Sequence, residues 1–357
     1  MVDLSESQLG VVDRCRSFLA GPGSLFRVGG YAGTGKTTVL RSVVGGDGSV
    51  PVAAFAGKAA DVLRRKGLPG QTIHSLIYKW DDLDKSFYKV DRLGDGTPIA
   101  WVAVDEGSMV GSLLWADLIS YNKKIIVFGD PGQLEPVGDD DPHLMRDPDV
   151  VLETVHRTGD CDLLDLATAI RTGSWEGGWG GHGRSVASIG EDDLLWPDIW
   201  LCGFNKTRVR MNEAVRRVRG FTGQICAGER LKCTVNDRKL GMFNGSMMTV
   251  VEIVGPARGT MRRCVVSLDG GGVVELNFTV AGLGRPGKMD WDTAKRLTGK
   301  ACIVDYGYCV TVHSAQGSEW DRVGVIDEQC SYWSAARWRY TAVTRACLEL
   351  RVYSDLL

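Results

Sequence analysis

Residues 25–38 read LFRVGGYAGTGKTT, and the fold of the whole chain turns on them. The apolar run at residues 25–28 has the length and composition of a buried strand. Behind it, the segment from Gly30 through Gly33, Thr34, Gly35 and Lys36 to Thr37 fits the spacing G-x-x-x-x-G-K-[ST]. Phosphate chemistry needs those residue types at those intervals. Glycines let backbone N–H groups turn inward around phosphate oxygens, because a Cβ would block close approach. Lys36 can reach the β- and γ-phosphates, Thr37 can ligate Mg²⁺, and a helix running to about Val44 points its positive end at the anion. With 46 glycines in 357 residues, a plain glycine-rich turn is the competing explanation. The complete pattern, set between a strand run and a helix-compatible run, favours nucleotide binding.

The remaining composition sets limits. A chain of 357 residues has room for two or three domains. Hydrophobic content of 44% and charged content of 24% are those of an ordinary globular protein. No apolar run approaches the roughly 18 residues of a membrane span, and the first ten residues do not read as a signal peptide. Ten cysteines without a C-x-x-C pair argue against zinc and against a disulfide framework, so a cytoplasmic or otherwise intracellular setting is expected. A net charge of −2 confines any nucleic-acid contact to a local groove.

Working outward, residues 1–19 predict a helix capped by Ser5, with Gln8 placed upstream of the phosphate loop where an amide can read an adenine edge. Residues 50–55 predict a second strand. Residues 71–78, QTIHSLIY, offer Thr72 and His74 as small polar groups for a phosphate backbone; for His74 alone an unliganded helix start is the plainer reading. Asp95-Gly96 between two β-prone runs predicts a hairpin over residues 87–101. Residues 99–104 predict a strand that delivers Asp105 and Glu106, one carboxylate to hold Mg²⁺ and one to orient or deprotonate the attacking water. Residues 124–128 predict another strand, ending in a polar loop that carries Gln133. Residues 173–193, rich in Gly and Trp, read as a flexible connection. Residues 231–280 are short β-prone runs between Asn-Gly and Gly-Gly turns and predict a small inserted barrel. The α/β pattern resumes at Ala301.

In order, these pieces resemble superfamily 1 helicases of the 5′→3′ branch, which includes RecD-like, Pif1-like and phage Dda-like enzymes. The resemblance runs from Gln8 to Arg345. It implies an α/β fold of two RecA-like P-loop domains, a small β-hairpin (1B) and an SH3-like barrel (2B). Domain 1A would take residues 1–175, with the pin hairpin at about 80–101. A connection at 176–194 would follow, then domain 2A at 195–230 and 301–357, with 2B at 231–300. By that resemblance Gln8 reads adenine, and residues 30–38, including Thr38, form motif I. Asp105 and Glu106 belong to motif II, and Gln133 senses the γ-phosphate. Arg157 and the arginine finger Arg345 touch it. Thr311, His313, Gly317 and Glu319 match the motif that joins nucleotide to DNA, and Lys58, Thr72 and His74 match single-strand contacts. Phe55 stands where the family has proline, as a base-stacking ring or as core. Glu135 replaces a further proline. The implied activity is an ATP- and Mg²⁺-dependent DNA helicase working on single-stranded and forked DNA, with replication or recombination proteins as candidate partners and no membrane. The alternatives are a nucleic-acid-stimulated ATPase or ATP-gated single-strand binding protein without robust unwinding, an RNA helicase, and a P-loop phosphotransferase acting on a small molecule.

Overall fold

The computed structural model describes residues 4–45, 49–81, 86–93, 98–136, 141–156, 161–237, 239–287, 289, 291–297 and 299–354. The chain divides into two compact units, Met1–Thr158 and Gly159–Leu357.

The first unit runs α1 (Glu6–Ala20), β1 (Leu25–Gly30), α2 (Lys36–Val44), β2 (Val52–Ala54), α3 (Gly57–Arg65), β3 (Gly70–Thr72) and α4 (Ile73–Ile77). It continues through β4 (Tyr78–Asp81), β5 (Ser86–Lys89), β6 (Trp101–Asp105), α5 (Ser112–Ile119), β7 (Lys124–Gly129) and β8 (Val150–Leu152). Six strands form one parallel sheet in the order β3-β2-β6-β7-β1-β8. Their apolar runs are continuous because helices cover both faces: Val28, Val104, Ile126 and Phe128 have no exposed surface. Parallel strands put all their C-terminal ends on one edge, so the loops after β1, β6 and β7 share it. Ser5 caps α1 as expected: its Oγ accepts from the Gln8 amide at 3.3 Å, and Gln8 Oε1 accepts from the Ser5 amide at 3.1 Å.

The hairpin differs from the expectation. The observed antiparallel pair is β4 with β5, in register Tyr78↔Lys89 and Trp80↔Phe87, whereas residues 101–105 are a central strand of the large sheet. The Asp95-Gly96 turn lies outside the described residues. What fixes β4 and β5 is a set of contacts to α5 and its end. The Tyr78 hydroxyl and Lys89 both donate to the Asp117 carboxylate, and Tyr121 Oη donates to the Val90 carbonyl at 2.5 Å. The Asp117 carboxylate is thereby held below its ordinary range, chiefly by the Tyr78 bond, while burial and the same bond push the Tyr78 phenol up to about 12.

The second unit runs α6 (Cys161–Thr172), β9 (Gly183–Ser185), α7 (Glu191–Leu195), β10 (Ile199–Cys202), α8 (Asn205–Val218), β11 (Arg230–Cys233), β12 (Met247–Ile253), β13 (Met261–Leu268) and β14 (Val273–Thr279). It ends with α9 (Trp291–Leu297), β15 (Cys302–Tyr306), β16 (Cys309–Thr311), α10 (Val312–Ala315), β17 (Trp320–Ile326), α11 (Ala335–Val343) and β18 (Ala346–Ser354). A parallel sheet has the order β16-β10-β17-β18-β9, and β11 to β15 close a five-stranded barrel. The α/β pattern therefore resumes at Cys309 rather than Ala301. Residues 302–306 are needed to close the barrel, pairing with both β11 and β14.

The segment read as a flexible connection is a fixed part of this unit. Gly183–Ser185 is the edge strand β9 on β18. Trp175 and Trp179 lie 5.0 Å apart, with the Arg339 guanidinium 4.6 Å from the first ring and 5.9 Å from the second. Arg339 also pairs with the buried Asp327 carboxylate at 3.0 Å, which accepts from Trp179 Nε1 at 3.3 Å. An arginine between two indoles and a buried carboxylate holds the stretch in place. Among the described residues no helix is long and apolar enough to cross a membrane, and the nine cysteines with described side chains are free.

The Asp117 contacts give a test. Tyr78→Phe removes a hydrogen bond worth about 1 kcal/mol at this partly exposed place. Amide exchange at Val90, whose N–H donates to the Ile77 carbonyl at 2.9 Å, should then speed up about fivefold while the amides of β6 and β7 keep their protection. Unchanged exchange at Val90 would show that the two strands hold each other without α5.

Candidate nucleotide site and nucleic-acid interface

In the first unit the phosphate loop follows β1. Gly33 and Gly35 take positive φ (77° and 81°), and a Cβ on Gly35 would lie 2.4 Å from Gln8 Nε2, so only glycine permits this close approach. Thr34 is fully buried and its Oγ1 donates to the Tyr31 carbonyl at 2.9 Å. Lys36, Thr37 and Thr38 form the first turn of α2. Lys36 Nζ lies over the loop, donating to the carbonyls of Gly30 and Tyr31 at 2.6 and 3.0 Å. The glutamine expected to read adenine is engaged here in the loop itself. Gln8 is 5% exposed, and its amide nitrogen donates to the Thr34 carbonyl at 3.2 Å.

Asp105 ends β6 and Glu106 follows it on the same edge. Burial, then the neighbouring Glu106, push the Asp105 carboxyl up to about 7, against the opposing pull of Lys36. Glu106 stands in the left-handed region (φ 53°, ψ 44°), a placement costing a side chain of this size about 1–3 kcal/mol. Its Oε2 is buried and has no hydrogen-bond partner among the described residues. Two crowded carboxylates, one with an orphaned buried oxygen, beside a lysine and a glycine-lined helix start, fit a nucleotide with its divalent cation. Thr37, in the first turn of α2, and Asp105, at the end of β6, are the sequence's candidates to hold the metal.

After β7, Asp130 is fully buried and accepts from the Gly132 amide at 2.9 Å and from Gln133 Nε2 at 3.3 Å. Asp130 thus sets the orientation of Gln133, which is 3% exposed. The sequence reading missed it, although a carboxylate directly after a strand in Gly-Asp-Pro-Gly-Gln was a usable signal. Arg157 lies outside the described residues. Its neighbour His156 donates its amide to the Gly33 carbonyl at 2.9 Å, which brings that segment against the phosphate loop.

The nucleic-acid candidates of the first unit end neighbouring strands on the same edge, since Ala54 pairs with Thr72 and with Asp105. Phe55 is 37% exposed, which favours a stacking ring over core, and Lys58 lies in the first turn of α3. Thr72 caps α4, accepting from the Ser75 amide at 3.0 Å, and the exposed His74 ring lies 5.7 Å from Tyr78.

In the second unit Thr311 precedes α10 and its hydroxyl donates to Ser314 Oγ at 3.1 Å. His313 is half-buried, which pushes its imidazole below the ordinary histidine range. Gly317 has φ 71°, and Glu319 is exposed beyond it. Arg345 is engaged within the second unit. It falls after α11, is 3% exposed, and spends its guanidinium inside the unit, donating at 3.0 Å each to Thr341 O, Ser318 O and Thr344 Oγ1.

Asp105 supplies a pH test. Its folded pKa of about 7 stands above the unfolded value near 3.8, so the folded state holds a proton that the unfolded chain has released. The contribution is complete below about pH 4 and is lost as pH rises through about 7. In metal-free protein the Tm of wild type relative to Asp105→Asn should therefore fall between pH 4 and pH 8. A difference independent of pH would contradict the raising of Asp105 by burial and by the neighbouring Glu106.

The AAA domain family matches residues 3–182, half of the chain, and the UvrD-like helicase C-terminal domain matches residues 306–353. The ATP-dependent RecD2 DNA helicase of Deinococcus radiodurans is 28% identical over 96% of this chain. The chain spans 48% of that relative's length. Among solved structures, Bacteroides Pif1 helicase in complex with ADP-AlF3 and ssDNA superposes with a TM-score of 0.62 at 16% identity, covering 100% of this chain and 94% of the other. Candida albicans Pif1 helicase gives 0.62 at 17% identity, covering 99% and 94%. These likenesses extend the fold match across both units, and the family match carries the assignment: the chain belongs to superfamily 1B of the helicases.

Proposed function

We propose that this chain hydrolyses ATP to move 5′→3′ along single-stranded DNA and to separate forked duplexes. The observation that carries the reading is the meeting of Lys36, Asp105, Glu106 and Asp130-held Gln133 on one sheet edge, with a buried Glu106 oxygen left unsatisfied among the described residues. The relatives named above, an ATP-dependent DNA helicase among them, support it.

The residues divide the work. Lys36 and the backbone amides of residues 33–37 bind phosphate, and Thr37 with Asp105 holds the cation. When bound, Mg²⁺ neutralises charge on the β- and γ-phosphate oxygens. Glu106 orients the attacking water and takes its proton, which its buried Oε2 and proximity to Asp105 suit it to do. Gln133 fixes the water or the terminal phosphate, its position set by Asp130. Hydrolysis then changes the grip of Phe55, Lys58, Thr72, His74, Thr311 and His313 on the strand, and the alternation produces directed motion.

Two measurements test this. Separation of 5′-tailed, 3′-tailed and RNA-tailed duplexes in parallel should show activity on the 5′-tailed DNA alone. DNA-stimulated ATP hydrolysis without strand separation would instead establish an ATP-gated single-strand binder. The second concerns Arg345, proposed to offset charge on the transferring phosphoryl group, an effect of about 10³–10⁵ in rate in other enzymes. To act, it must release its bonds to Ser318, Thr341 and Thr344. Arg345→Ala should lower DNA-stimulated turnover by about that factor and also lower Tm through the lost buried bonds, and Arg345→Lys should rescue turnover poorly. A lowered Tm with near-normal turnover would leave Arg345 a structural clip.

A further inference from the structure

The parallel sheet of the second unit presents three βα junctions on its C-terminal edge, after β10, β16 and β17. In the first unit that edge carries the phosphate loop and the carboxylates. Here it carries aromatic rings. Phe204 follows β10 and is the residue preceding α8, His313 lies in α10 after β16, and Trp333 lies in the loop between β17 and α11. The Trp333 ring is 5.3 Å from Phe204 and 5.6 Å from His313. It lies nearly parallel (17°) to the fully buried Trp338, at 6.3 Å. Gly203 makes room for it: a Cβ there would lie 3.0 Å from the Trp333 ring. Trp333 is therefore a hub joining all three junctions.

A structural core explains Trp338 but not the rest of the cluster. Phe204 is 38% exposed and Tyr332, the neighbour of Trp333, is 92% exposed. The helix start beside Phe204 is closed to phosphate. The Glu328 carboxylate already accepts from the amides of Gly203 and Phe204, at 2.9 and 3.1 Å, and from the Thr207 hydroxyl at 2.5 Å. A negative charge seated there repels a phosphate and leaves the rings as the surface on offer. Lys206 in the first turn of α8 and Arg337 in the first turn of α11 supply positive charge within a turn of the rings. Aromatic rings flanked by basic residues, beside Thr311 and His313, are what a single strand needs to lay down its bases without reading their sequence.

We propose that Phe204, Tyr332 and Trp333 form a base-stacking surface for single-stranded nucleic acid on the C-terminal edge of the second sheet. The inference rests on the proposed function and adds to it three contacts made to bases rather than to the backbone. The His313 ring packs edge-on against Trp333 and so borders the surface.

The test compares a labelled oligothymidylate with an abasic oligomer of the same length, by fluorescence anisotropy on the full chain without ATP. The wild type should prefer the thymidylate by about five- to hundredfold, the range of one stacked base. Phe204→Ala, Tyr332→Ala and Trp333→Leu should each narrow that preference severalfold while leaving abasic binding and ATP affinity unchanged. The first two replace exposed rings, so the test does not depend on Trp333→Leu folding. An undiminished preference in all three variants overturns the surface, as does a loss of ATP affinity with oligomer binding intact, which would assign the rings to the adenine of the nucleotide. Failure of the wild type to bind either oligomer overturns the functional reading itself, and this inference with it.

Discussion

Asp105 and Glu106 are consecutive carboxylates at the mouth of a buried strand, and the arrangement of the first unit follows from the cost of keeping them there. Burial penalises the charged form of Asp105 and the neighbouring Glu106 adds to that penalty, and the rise of Asp105 to about 7 expresses both. Glu106 carries a second cost in its left-handed backbone, and a third in a buried oxygen with no partner among the described residues. Structures keep such strain where chemistry uses it. Lys36, brought to the same edge by the parallel order of β1, β7 and β6, pulls against the rise of Asp105, with Lys66 adding to it.

Both units use one device. A parallel sheet gathers its loops on a single edge, and the residues of those loops decide what the edge does. In the first unit the loops are glycine and carboxylate, suited to phosphate and a metal. In the second they are aromatic and hydroxyl-bearing, and the Glu328 carboxylate occupies the amides of Gly203 and Phe204 just before α8. The same topology therefore serves different chemistry through loop composition alone.

Much of this was legible because it is local. The phosphate loop, the strand before it, the Ser5 cap and the carboxylate pair are short patterns whose meaning depends on their immediate neighbours. The readings that changed depend on partners distant in sequence. Residues 78–81 join a hairpin because Tyr78 and Lys89 find Asp117 on α5, and no turn signal marks that contact. The Gly- and Trp-rich stretch has a linker's composition but is held by Arg339 and Asp327. The barrel reaches past residue 300 because closure requires a fifth strand, which register decides and composition does not. Motif resemblance located Arg345, yet its burial among Ser318, Thr341 and Thr344 follows from how α11 ends.

The central claim is that the Asp105–Glu106 pair beside Lys36 is a hydrolytic centre. The most direct measurement sets ATP affinity and DNA-stimulated turnover side by side in Glu106→Gln, which keeps shape and volume and removes the base. The account requires ATP affinity within a few-fold of wild type and turnover lower by about 10² or more, the usual worth of a positioned general base. Wild-type turnover in Glu106→Gln would contradict it, because the strained, half-buried carboxylate would then have no part in the chemistry.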